Sequence, residues 1–271
     1  MTMLRDITLG QYYQTESCIH RLDPRVKLMG TVCFIISLFL MKNLTGYIIA
    51  ALFLTVCIRL SKVPFKFMMK GMKSIMLLLM ITVVFNLFLT PGTTLVSVWK
   101  LTITKEGLKL ASFMAIRLVM LIIGSSIMTL TTTPNNLTDG MEKLMGPLKK
   151  IKVPVHEVAM MMSIALRFIP ILLEETDKIM KAQIARGADF ESGNLIKKAK
   201  ALVPLLVPLF ISAFRRANDL ALAMEARCYR GGEHRTKMKP LIYKKNDFIA
   251  YGCLMLYLVA GVVIGRIPFV W

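Results

Sequence analysis

Histidines and paired carboxylates are the side chains of this chain that could do acid–base chemistry, and their spacing indicates no catalytic site. The three histidines have no partner spacing between them, and neither H-E-x-x-H nor G-x-S-x-G occurs. The adjacent acids Glu174 and Glu175 fit the first turn of a helix, where negative charge is favourable, better than a catalytic pair. We therefore expect no catalytic residue in this chain.

The cysteines and glycines predict neither a metal site nor a nucleotide site. The five cysteines show no C-x-x-C spacing, so neither a zinc site nor a disulfide framework is indicated. The phosphate-binding pattern G-x-x-x-x-G-K-[ST] does not occur. We therefore expect no metal or cofactor in this chain and no ATP hydrolysis by it.

Two short segments repeat an arginine between small residues, Ala185-Arg186-Gly187 and Ala226-Arg227-Cys228. Each follows apolar residues with helical spacing, so we expect each arginine at the C-terminus of a helix. A guanidinium in that position can bind carboxylate or carbonyl groups of a partner protein. It can also simply neutralise the helix end, and the spacing alone leaves both interpretations open.

Long amphipathic helices must position these two segments. The apolar pattern predicts one helix from Glu174 to Arg186, opened by acids and closed by bases and a glycine. It predicts a second from about Leu195 to Arg227, which Pro204 and Pro208 should bend.

The rest of the chain has the composition of a membrane protein. It is 55% hydrophobic with a net charge of +19, whereas soluble chains are about 45–50% apolar. The basic residues flank apolar runs, which favours a membrane over a nucleic acid as the partner. The first run exceeds the roughly 20 residues of one spanning helix, so we expect two helices there, with a turn at 42–46. The runs are Leu28–Ile58, Ile75–Thr90, Leu110–Leu130 and Phe248–Ile264.

These features predict an all-α integral membrane protein with about five transmembrane helices and a cytosolic part of long amphipathic helices. The basic loops place the N-terminus and the long polar region in the cytosol. The runs Val158–Leu173 and Ala201–Ala213 favour buried or interfacial helices by their length, although a further membrane hairpin stays open. The predicted segments are 1–27 (cytosolic), 28–131 (transmembrane helices 1–4), 132–246 (cytosolic helices) and 247–271 (C-terminal transmembrane helix).

Two polar positions beside or within the apolar runs have structural explanations. Asp23 is a good N-cap and Pro24 suits the first position of a helix, so we assign no substrate role there. Arg117 lies inside a predicted span and should face protein or water, with a structural partner such as a backbone carbonyl.

An ordered set of motifs along nearly the whole chain resembles the T component of energy-coupling factor (ECF) transporters, the family that includes the cobalt-transport permease CbiQ. The second arginine motif departs from the family pattern, because Cys228 stands where glycine is usual. The motifs are His20-Arg21-Leu22-Asp23-Pro24-Arg25-Val26-Lys27-Leu28, Thr133-Pro134, Pro147-Leu148-Lys149, Ala165-Leu166-Arg167-Phe168-Ile169-Pro170 and the two arginine segments.

The resemblance implies a non-enzymatic coupling subunit in the cell membrane. Two coupling helices would cross in the cytosol and dock into two ABC ATPases, which hold the ATP and Mg²⁺. The helices would also pack on a small membrane-embedded S component, which binds the vitamin or transition-metal ion. The implied ATPase-docking residues are Ala185, Arg186, Gly187, Ala226, Arg227 and Cys228. Leu206, Phe210 and Phe214 are candidates for the S-component contact, with burial inside this chain as the alternative.

Two other classes of function predict different sequence features. A conventional ABC permease with its own substrate pathway predicts more spans and short coupling helices between them. A membrane-embedded enzyme acting on lipids or isoprenoids predicts clusters of acids or histidines at the membrane face, and the sequence has no such cluster.

Overall fold

A computed structural model describes residues 12–41, 43–98, 101–190, 194–232 and 238–265. Residues 1–11 of the predicted N-terminal segment and residues 266–271 of the predicted last helix lie outside the described residues.

Helices make up most of the described chain, and the predicted all-α class is confirmed. A 3-10 helix, Gly146–Ile151, and an antiparallel hairpin of β1 (Thr94–Val98) and β2 (Leu101–Thr104) complete the described elements. The helices are α1 Pro24–Leu40, α2 Leu44–Ser61, α3 Phe65–Leu89, α4 Lys105–Thr131, α5 Pro134–Leu144, α6 Val155–Ala185, α7 Leu195–Ala226 and α8 Lys245–Gly265.

The long helices match the sequence prediction in one case and differ in the other. Helix α7 begins at Leu195, as predicted, and contains both prolines. The prediction that a helix begins at Glu174 was wrong, because α6 starts at Val155 and continues through Pro170. A proline removes one backbone hydrogen bond, and the remaining bonds of a 31-residue helix keep it continuous.

The chain divides into two compact units, one of Gly10–Leu144 with Leu241–Trp271 and the other containing Met145–Pro240. The core of the first lies between α1, α2, α4 and α8 and includes Phe34, Leu38 and Tyr257. Helices α1 and α4 approach closely at Gly124, where a Cβ atom would lie 2.7 Å from the Phe34 ring. Small residues at such crossings are typical of membrane helix packing.

The second unit buries little of its apolar surface. Of its described hydrophobic residues, only Val155, Ala159 and Leu205 are buried. The apolar faces of α6 and α7 are therefore left for a bilayer or for other proteins.

Four helical segments among the described residues are long and apolar enough to cross a membrane: α2, α4, α6 and Lys200–Ala226 of α7. A shorter apolar segment, Ile75–Leu89, lies within α3. Two of the four fall in the region that we expected to be cytosolic. The division of the chain into membrane and cytosolic segments therefore stays a prediction.

Candidate docking sites at two helix ends

The end of α6 is a Schellman motif built around Gly187. Arg186 is the C-cap, and Gly187 follows it in the left-handed conformation, with φ of +87°. The N–H of Gly187 donates to the Ile184 carbonyl at 2.9 Å, and that of Ala188 donates to the Gln183 carbonyl at 2.9 Å. These paired bonds satisfy carbonyls that a helix end otherwise leaves free, and they stop the helix at a defined residue.

The end of α7 has the same hydrogen-bond pattern although it lacks the glycine. Arg227 is the C-cap, and Cys228 adopts φ of +53°. The N–H of Cys228 donates to Glu225 at 2.8 Å, and that of Tyr229 donates to Met224 at 3.0 Å. The departure at Cys228 thus preserves the local geometry, at a cost of about 1–2 kcal/mol for a non-glycine residue in this conformation.

Both arginines are presented outward between small residues. Arg186 and Arg227 are exposed. Neither guanidinium makes an ion pair or a hydrogen bond with the part of the chain that the structure describes. Their small neighbours Ala185, Gly187, Ala226 and Cys228 are exposed as well. Each helix end therefore offers a planar cation that another protein can approach closely.

Polar contacts hold α6 and α7 together in antiparallel order. Glu175 accepts hydrogen bonds from the Ser212 hydroxyl at 2.7 Å and from Arg216 at 2.6 Å. Nearer the end of α6, Gln183 contacts Pro204, which lies nearer the start of α7. Because the two helices run in opposite directions, their C-terminal arginines lie at opposite ends of the pair.

The contact at Gln183 satisfies a carbonyl that a proline leaves free. In a regular helix, the N–H of residue 208 would donate to the carbonyl of residue 204, but Pro208 has no N–H. The Gln183 amide donates to that Pro204 carbonyl at 3.2 Å. A side chain of α6 thus compensates for a proline in α7.

The three apolar candidates for the S-component contact lie on the surface of α7. The exposed fractions of Leu206, Phe210 and Phe214 are 43%, 61% and 68%. Their spacing of four residues places them on one stripe of the helix. Burial inside this chain therefore does not account for them.

The motif around Asp23 forms a buried cluster at the start of α1. Asp23 caps the helix by accepting from the Arg25 backbone N–H at 2.9 Å, as predicted, and its carboxylate also pairs with the Arg25 guanidinium at 2.7 Å. Burial alone would raise the pKa of Asp23, but these hydrogen bonds and the positive charge of Arg25 outweigh it and hold that pKa below its usual value. Arg25 also stacks 3.8 Å from the centre of the Tyr243 ring.

Sequence reasoning missed a residue of this cluster, Asp247. This side chain is buried in the first turn of α8 and accepts from the backbone N–H groups of Asp23 at 2.8 Å and Lys244 at 2.7 Å. The second bond is the one that a carboxylate at the third helical position makes in a capping box. The signal available in the sequence was an acid directly before an apolar run, at a position that suits the first turn of a helix.

Lys27 ties the same region to the end of α4, and His20 is held by the segment that precedes α1. The Lys27 ammonium donates to the Thr131 carbonyl at 2.8 Å, where α4 ends. His20 Nε2 lies 3.0 Å from the Tyr13 carbonyl, which can only accept, so Nε2 carries the proton and Nδ1 accepts from the Ser17 hydroxyl. The motif is thus a structural junction of helix ends.

Arg117 has the structural partners that the sequence predicted. Its Nε donates to the Tyr47 hydroxyl at 2.9 Å, and its Nη2 donates to the Met41 carbonyl at 3.3 Å. Its guanidinium also lies 5.5 Å from the centre of the Phe39 ring. The predicted backbone carbonyl partner is confirmed.

Apolar helices of spanning length define the class, a multi-pass membrane protein. The chain matches the family model described as cobalt transport protein, CbiQ, over residues 15–238. It is 57% identical to the energy-coupling factor transporter transmembrane protein EcfT of Clostridium kluyveri, over 98% of both chains. It is 52% identical to that of Thermosediminibacter oceani, over 99% of this chain and 100% of the relative. The EcfT of Bacillus subtilis is 48% identical, over 90% of this chain and 93% of its own length. The chain therefore belongs to the CbiQ/EcfT family, the transmembrane components of ECF transporters.

Proposed function

We propose that this chain couples ATP-driven movements of two ABC ATPases to a small membrane-embedded S component. ATP and Mg²⁺ bind to the ATPases, the S component binds a vitamin or a transition-metal ion for import, and this chain itself is not an enzyme. The cell membrane holds the complex, and the basic loops favour a cytosolic N-terminus and cytosolic coupling helices.

The matching ends of α6 and α7 carry the proposal. Each end stops at a fixed residue and exposes an arginine, Arg186 or Arg227, between small neighbours. A guanidinium fork suits carboxylates and carbonyls in a groove of a partner. Because the two ends lie apart, each arginine engages its own ATPase, and relative movement of the ATPases is transmitted along the helix pair.

The exposed stripe of Leu206, Phe210 and Phe214 supports contact with the S component. An S component lies in the membrane, so its surface is apolar and suits aromatic side chains. The contact is made on the helix that carries Arg227. Movement at the docked end thus reaches the substrate-binding subunit through one continuous helix.

Charge reversal at the two arginines tests the docking role. The ATPases and the S component are co-expressed with the parent chain, R186E, R227E, the double variant, or R215E as a control. Arg215 is an exposed arginine in the middle of α7. We expect each single variant to recover less ATPase and the double variant to recover none, while R215E behaves like the parent. Full recovery of both ATPases and normal uptake with the double variant would refute the proposal.

A further inference from the structure

The turn between α2 and α3 carries a patch of positive charge, Arg59, Lys62 and Lys66, called here the basic turn. All three side chains are exposed. Arg59 lies in the last turn of α2, Lys62 is its C-cap, and Lys66 lies in the first turn of α3. The sequence has no acidic residue between Asp23 and Glu106. No neighbouring acid along this stretch of chain neutralises the patch.

Lys62 occupies a position that favours glycine. Its φ of +55° and ψ of +18° are left-handed, as at the C-cap of many helices. A lysine in this conformation costs backbone energy that a glycine would avoid. This conformation ends α2 at a defined residue and leaves the Lys62 side chain exposed at the turn.

The residues on either side of Lys62 are fixed in the core. Ser61 is fully buried, and Val63 is 5% exposed. The Ser61 hydroxyl donates to the Ile58 carbonyl at 2.8 Å and accepts from the Val63 N–H at 3.3 Å. The backbone of the basic turn is thus held in place before any ligand arrives, which lowers the entropy lost on binding.

Exposed apolar side chains border the charges. Leu60 is 49% exposed and Phe65 is 53% exposed. Helix α2, which ends at Ser61, is one of the helices with spanning length and composition. Cations beside exposed aromatic and aliphatic groups at the end of a spanning helix match the membrane–water interface, where lipid phosphates lie.

We propose that the basic turn is a binding site for the phosphate headgroup of anionic phospholipids. The Arg59 guanidinium can bind phosphate through two N–H groups, and Lys62 and Lys66 add point charges. Leu60 and Phe65 contact the acyl region beside the headgroup. The site lies where α2 ends and α3 begins, and it does not depend on docking of an ATPase.

Native mass spectrometry of the full-length chain in mild detergent tests the site. Phosphatidylglycerol or phosphatidylcholine is titrated onto the parent, onto R59Q/K62Q/K66Q and onto the charge-retaining control R59K/K62R/K66R. Lys70 and Lys73 are kept in each variant, so the basic character that sets the topology persists. Three interfacial charges account for a change in affinity on the order of 100-fold. We expect the glutamine variant to lose about that much affinity for phosphatidylglycerol, and the control to keep it.

Three results would overturn the proposal. They are equal binding of the two lipids by the parent, unchanged phosphatidylglycerol affinity in the glutamine variant, and displacement of the lipid by millimolar inorganic phosphate. The last result would mean that the turn binds a free anion. If the triple variant does not fold, the single variants K62Q and K62R are compared instead. We then expect K62Q to lose about fivefold in affinity for phosphatidylglycerol and K62R to keep the affinity of the parent.

Discussion

The carboxylate of Asp247 accepts a hydrogen bond of 2.8 Å from the backbone N–H of Asp23, which is 224 residues earlier in the chain. The same carboxylate accepts from the N–H of Lys244. One buried acid therefore serves the first turns of both α1 and α8. The bond joins the start of the first helix directly to the start of the last described helix.

Replacing Asp247 by alanine should destabilise the compact unit that contains α1 and α8. The substitution leaves the buried N–H of Asp23 and the partly buried N–H of Lys244 without this acceptor, and we expect the free energy of unfolding to fall by about 1–3 kcal/mol. Thermal unfolding of the detergent-solubilised chain measures it. D177A is the matched control, because Asp177 is an exposed acid on α6, and its unfolding midpoint should stay within error of the parent. Equal midpoints for D247A and the parent would contradict the junction.

Glycine at Cys228 should tighten the end of α7. It relieves the left-handed strain of about 1 kcal/mol, so hydrogen exchange in the last turn of α7 should slow about fivefold.

Gly187→Ala is the reciprocal test at the end of α6. A Cβ atom there would meet nothing within 4 Å, so only the backbone conformation is penalised, and exchange in the last turn of α6 should quicken by a similar factor. A C228G variant with unchanged or faster exchange would argue against the strain.

Arg117 should matter for stability and not for the transport step. R117L removes the donor to the buried Tyr47 hydroxyl and to the Met41 carbonyl, at a cost of about 1–3 kcal/mol. Y47F removes one of these bonds and should cost less. Uptake by the assembled transporter, normalised to folded protein, should match the parent in both variants. A large fall in normalised uptake with R117L would show a role in transport instead.

Gln183 and Pro208 should be energetically coupled. Q183A removes the donor to the Pro204 carbonyl and should cost about 0.5–1.5 kcal/mol. In a P208A background, residue 208 supplies its own N–H to that carbonyl, so Q183A should cost less. The four thermal midpoints of this double-mutant cycle give the coupling. Identical costs of Q183A in the two backgrounds would mean that the two residues act independently.

Apolar runs predicted most of the helices, because long stretches without charge have few alternatives to helical structure in a membrane. The division of the first apolar run into two helices, the start of α7 at Leu195 and the carbonyl partner of Arg117 followed from such local reasoning, although α2 already begins at Leu44, inside the predicted turn. The start of α6 at Val155 did not follow from local reasoning, which placed it at Glu174. Glu174 and Glu175 resemble the opening of a helix, whereas Glu175 actually serves a contact with α7.

Long-range partners account for the other features that the sequence did not reveal. Asp247 has an ordinary local pattern, and its importance depends on Asp23, which no spacing rule connects to it. Similarly, Cys228 looked like a break in the second arginine motif, but hydrogen bonds of the helix end hold it in the geometry that glycine adopts in the first. The exposure of Phe210 and Phe214 likewise depends on how α6 and α7 pack.

The paired hydrogen bonds that end α6 and α7 have a kinetic consequence. Arg186 and Arg227 stand at helix termini that are already ordered, so the proposed docking of an ATPase would not require either segment to fold first. The association rate of such a rigid surface is limited by diffusion and orientation. Differences in affinity between variants of the complex should therefore appear mainly in the dissociation rate.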